Sequence, residues 1–188
     1  MNTFDDCLSF SHIRLGGSGY SPTTKNRLIW ISPTQRRNFF MSVINEDYFE
    51  QVQRKVSEYH GVDIYGLIKQ PEHDQMRNRT ALLFSLEVVL DLHRAKYGTH
   101  FSPLNGRDAL DHFLLQKYKW PLSDIRSLNL RDIVILLQEE MTPANLPESA
   151  RLILQNYNVL NSKKTFPEIK DDEWDPDLHL SIPKQRNW

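Results

Sequence analysis

The run Thr80–Tyr97, T-A-L-L-F-S-L-E-V-V-L-D-L-H-R-A-K-Y, constrains the fold of this chain more than any other stretch. At about 100° per residue, Glu87, Asp91 and Arg94 share one narrow arc. Leu82, Leu83, Phe84, Leu86, Val88, Val89, Leu90 and Leu92 take up most of the remaining circumference. A helix apolar nearly all round is one that other elements surround. Its charges interrupt it too soon for a bilayer span, which takes about 20 almost uncharged residues. The sequence therefore predicts a mainly α protein, a multi-helix bundle around a central buried helix over 80–97. Gly98 is expected as its left-handed C′ residue, and a thin acidic stripe is expected to reach solvent. His93 falls on the apolar arc and is expected to be a core histidine bonded to a carbonyl.

The remaining segments read as partners for that helix. Residues 1–31 alternate briefly at Leu8–Phe10 and Ile13–Leu15 around the loop Gly16–Pro22, which predicts an irregular or hairpin cap. The glycine loop matches neither a P-loop nor a nucleophile elbow, because Lys25 follows Thr24 and Tyr20 stands where the second glycine should be. Ser32-Pro33 can start a helix, and Asn45-Glu46-Asp47 can restart it, with Tyr48, Phe49, Val52, Val56 and Tyr59 at helical spacing up to Gly61. Val62–Lys69 reads as a connector. Pro71 opens a helix that should run unbroken to Tyr97, with a polar first part projecting from the core. Asn105 is expected to cap a helix over 106–119, and Leu130–Met141 to be amphipathic, stopping before Pro143. Pro147 opens a last helix with Ala150, Ile153, Leu154 and Tyr157 inward. Short links favour antiparallel packing of neighbouring helices.

Residues 1–160 are thus expected as one helical domain and 161–188 as an extended acidic and aromatic tail. Pro167, Pro176 and Pro183 break any helix there, yet Phe166, Trp174, Leu178, Leu180, Ile182 and Trp188 remain. A purely solvating tail would carry fewer aromatics. It is expected to lie against its own core or against a partner.

The formal net charge of −1 supplies no global basic field for nucleic acid. One cysteine, Cys7, permits no internal disulfide and no cysteine-based zinc cluster, and with the acidic N-terminus it points to the cytoplasm. The basic pairs Arg36-Arg37 and Arg54-Lys55 are interspersed with acids and read as solvated faces. The dipeptide His73-Asp74 in a helical chain resembles the HD phosphohydrolases in those two respects alone. That family's metal site also takes an upstream histidine and a downstream aspartate, for which His60 and Asp91 are available. Here the dipeptide lies in a polar stretch, whereas a metal site requires an oriented, packed surround.

By elimination the expected function is non-catalytic protein binding, for example as a small cytosolic inhibitor or immunity-type partner of a basic protein. The expected partner-binding residues are Asp171, Asp172, Glu173, Trp174, Asp175 and Trp188. Aromatics supply contact area there and carboxylates supply steering. No catalytic residue, metal or cofactor is assigned. The alternatives are a nucleic-acid-binding regulator and a metal-dependent HD-like phosphohydrolase.

Overall fold

Asn45 fixes the start of the first helix. Its backbone is extended and its Oδ1 accepts the Tyr48 N–H at 2.9 Å, with Glu46 and Asp47 favouring the positive end of the helix. The resulting helix, α1, spans Glu46–His60. It closes at Gly61, whose φ of 63° is the left-handed geometry that glycine tolerates best. The computed structural model describes residues 44–66 and 68–182. The expected N-terminal cap, the Ser32-Pro33 helix start and Trp188 all lie outside the described residues.

The second helix, α2, spans Glu72–Tyr97 without a break, as the sequence predicts. Two details at its ends differ from expectation. Gly98 is extended (φ −63°, ψ 139°), so it is no left-handed cap. A Cβ there would stand 2.6 Å from the Arg94 carbonyl oxygen, which makes close backbone approach the reason for glycine. The first part of α2 does not project: Met76, Arg79 and Thr80 are buried. Arg79 can be inside because the tail supplies its counter-charge.

Helix α3, Arg107–Tyr118, begins after Gly106 without the Asn105 side-chain cap expected for it. Short helices α4, Leu122–Ser127, and α5, Leu130–Leu136, follow; Asn129 Oδ1 caps α5 through the Asp132 N–H at 2.9 Å. The amphipathic run ends its helix sooner than predicted, yet Leu137 and Met141 stay buried. Helix α6, Glu148–Asn156, turns Ala150, Ile153 and Leu154 inward. Tyr118 Oη donates to the Leu136 carbonyl at 2.7 Å, tying α3 to α5.

The core is centred on α2. Leu83, Phe84, Leu86, Val88, Val89 and Leu90 are all buried, packed against Tyr48, Phe49, Val52 and Val56 of α1 and Leu110 and Leu114 of α3. Phe49 meets Phe84 edge-on at 5.2 Å and Tyr157 at 4.4 Å, so one aromatic cluster joins α1, α2 and the end of α6. Leu92 lies on the outer side, 49% exposed.

The chain after α6 is largely extended. It has 3-10 turns at Val159–Asn161 and Asp171–Glu173 and one short helix, α7, at Leu178–Ser181. No strand occurs among the described residues, and none of their helices is long and apolar enough to cross a membrane.

Candidate functional site

One face of α2 carries Arg79, Leu83, Glu87 and Arg94 at helical spacing, and α1 supplies Tyr48, Val52, Lys55 and His60 beside it. Residues 165–182 lie along this seam as a strap. They close the charged stripe that was expected to face water: the Glu87 side chain is 1% exposed and that of Arg94 9%. An apolar rod carrying charges on one arc needs polar cover there, and the strap provides it.

At one end, Arg79 Nη1 donates to Glu173 Oε2, and both side chains are buried. His60 Nε2 lies 3.0 Å from the same oxygen. Glu173 Oε1 accepts the Lys170 N–H at 3.0 Å, and Arg79 Nη2 donates to the Glu168 carbonyl at 2.7 Å. The His60 ring stacks on Phe166 at 3.7 Å, with the Arg79 guanidinium 5.7 Å from the same ring centroid. Farther along, Trp174 Nε1 donates to Glu87 Oε1 at 2.8 Å, while Arg94 donates through both terminal nitrogens to Glu87 Oε2 at 3.2 Å. Lys55 pairs with Asp175 at the rim. Tyr48, Val52, Leu83 and Leu178 line a small cleft beside Trp174.

The six residues expected at a partner surface therefore have different environments. Glu173 is inside the fold. Trp174 is half-buried and bonded to α2. Asp175 is paired with α1, and that bond holds its carboxyl below the usual range against a smaller opposing effect of burial. Asp171 Oδ1 accepts the Leu130 N–H at 2.5 Å and so anchors the first turn of α5. Asp172 is exposed, as are Glu168 and Asp177 nearby in sequence. Trp188 lies outside the described residues.

Burial pushes the Glu87 carboxyl up from 4.5 to about 7, against the lowering influence of Arg94 and the Trp174 indole. An acid with a raised pKa in the fold contributes stability that is full below its unfolded pKa and is lost as pH rises through the folded value. The window here runs from about pH 4.5 to 7, and the change is on the order of 3 kcal/mol. Urea denaturation of the wild type and of Glu87→Gln across this window should separate the two, the wild type losing stability relative to the glutamine variant. Parallel curves would mean that the carboxyl stays ionised throughout.

His93 is buried as expected, but its partner is not a carbonyl. Its Nε2 lies 2.8 Å from His112 Nδ1, so one imidazole donates to the other. Tyr97 at 4.6 Å and Phe113 at 5.0 Å flank the ring. Burial, then the charges of His112, Lys96 and Arg94, lower its pKa to about 4, which keeps it neutral at neutral pH.

The HD arrangement does not assemble as a metal site among the described residues. His73 and Asp74 lie in the first turns of α2, where Asp74 Oδ1 accepts a long 3.4 Å bond from Gln70, and His60 is taken up by Glu173. No group of three or more His, Cys, Asp or Glu among the described residues is placed to hold a metal ion.

Sequence reasoning missed Arg79 altogether, and read Lys55 as part of a solvated face without its partner Asp175. Glu173 is 94 positions from Arg79, and Asp175 is 120 from Lys55, so no local pattern pairs them. One signal was present: Met76, Arg79, Leu83, Leu86 and Leu90 follow helical spacing, and a cation on an apolar stripe demands a buried partner. Comparison of the chain with protein-family models, curated proteins and solved structures finds no match.

Proposed function

We propose that this is a non-catalytic protein-binding protein, and that the outer side of the docked strap takes a basic surface of another protein. The observation that supports this reading is the division of the strap into two sides. Its inner side, Glu173 and Trp174, is committed to α2, while Glu168, Asp172 and Asp177 stand exposed on a backbone held in place by those bonds. Holding the strap reduces the ordering cost that a free acidic tail would meet on binding. Exposed carboxylates speed encounter with a cationic partner and disfavour anionic ones. A small inhibitor or immunity-type protein directed at a basic target would use such a surface.

The test is affinity capture from the native host with the full chain and with Glu168→Gln/Asp172→Asn/Asp177→Asn. The expected result is a basic protein retained by the wild type at low salt and lost by the triple variant, with helical circular dichroism unchanged. Equal retention by both proteins would rule the strap's outer side out as the contact.

A further inference from the structure

Beyond that outer surface, the groove beneath the strap has the character of a peptide site. We infer that the groove between α1 and α2 is a receptor for an acidic peptide segment carrying glutamate followed by tryptophan, and that the strap is its resident competitor.

Three observations carry this. The first is chemical. The groove offers Lys55, His60 and Arg79 to an incoming chain, and the strap answers with Asp175 on Lys55 and Glu173 on both His60 and Arg79. The Trp174 indole reaches the one carboxyl on the groove floor that Arg94 already holds, Glu87. Of these, the buried contacts of Glu173 specify a ligand more sharply than net charge does. The second is the mode of attachment. Residues 162–170 form no regular structure, and among the bonds fastening them to α2 are Asn78 to the Ser162 carbonyl and Gln75 to the Thr165 carbonyl, each 3.0 Å. This first part of the strap is thus an extended ligand on a short tether, followed by the 3-10 turn at Asp171–Glu173 and the short helix α7. The third is the half-buried Trp174, which adds to its hydrogen bond a side-chain contact beside Tyr48, Val52, Leu83 and Leu178 at the mouth of the groove.

A tethered strap acts at an effective concentration on the order of 1 mM. A free peptide making only the same contacts must therefore reach that concentration to displace it, which makes the closed groove selective. A partner prevails by binding the groove more tightly than the strap does, or by acting where the strap has been cut.

The test uses the full chain with a specific protease site inserted between Lys163 and Lys164, both exposed. After cleavage, a fluorescein-labelled synthetic peptide of residues 166–182 is added and its anisotropy followed. The proposal expects saturable exchange of the labelled peptide into the groove with the helical circular dichroism retained. It also expects about tenfold weaker binding by the same peptide carrying Glu173→Gln, as loss of a charge-assisted bond implies. Three results would overturn it: no exchange, equal binding of a scrambled peptide of the same composition, or collapse of the helices once the cleaved strap departs. None of these bears on the outer carboxylates, so failure here leaves the basic-partner reading to its own test.

Discussion

Phe84→Ala will lower the stability of the fold by about 3–5 kcal/mol. Phe84 is fully buried at the middle of α2 and lies between two rings of α1, 6.4 Å from Tyr48 and 5.2 Å from Phe49. Truncation removes the transfer free energy of the ring and leaves a cavity that helices on several sides cannot all close. The contrast lies on the same helix: Leu92→Ala, at a half-exposed position, should change stability by less than about 1 kcal/mol. Chemical denaturation of the two variants measures the difference directly. Similar effects at both positions would mean that α2 is not surrounded.

Glu173→Ala should cost up to about 3–5 kcal/mol, the usual consequence of leaving a buried charge without its partner. Arg79 would lose its carboxylate, His60 its acceptor, and the Lys170 N–H its bond. The loss has a ceiling. Once the strap lifts away, water rehydrates Arg79, so the cost cannot exceed the free energy with which the strap is docked. The expected outcome is therefore loss of hydrogen-exchange protection at the strap amides of Leu178 and Leu180 while α1 to α6 remain helical. Lys55→Ala removes a pair of which both side chains are more than a third exposed, and should cost less than about 1 kcal/mol.

These two effects correspond to what was and was not legible in the sequence. The α2 scaffold could be read because helical periodicity is a local property: Leu83, Phe84, Leu86 and Leu90 declare a buried face within one stretch. The restart at Asn45 and the helix after Pro147 could be read for the same reason, from capping chemistry next to an apolar pattern. The polarity of the stripe was misread. Glu87 and Arg94 look like a solvent-facing edge when α2 is considered alone, and only the return of the chain near Trp174 puts them inside. The strap was legible in composition, as aromatics among carboxylates, but its orientation was not. Which side of Asp171–Asp175 faces the core depends on Arg79, His60 and Lys55, all more than 90 positions away in the sequence. Asp171 shows the same point: its role is to satisfy the free N–H at the start of α5, and nothing around residue 171 identifies that helix.

The account rests on the strap being fastened to the central helix through the buried Arg79–Glu173 pair. A double-mutant cycle on these two residues, with Arg79→Ala, Glu173→Ala and the double variant unfolded in urea, tests that most directly. The account predicts a coupling energy above about 2 kcal/mol, because once either partner is gone the strap is already released and the second substitution has little left to remove. Additive losses, agreeing to within about 0.5 kcal/mol, would contradict it.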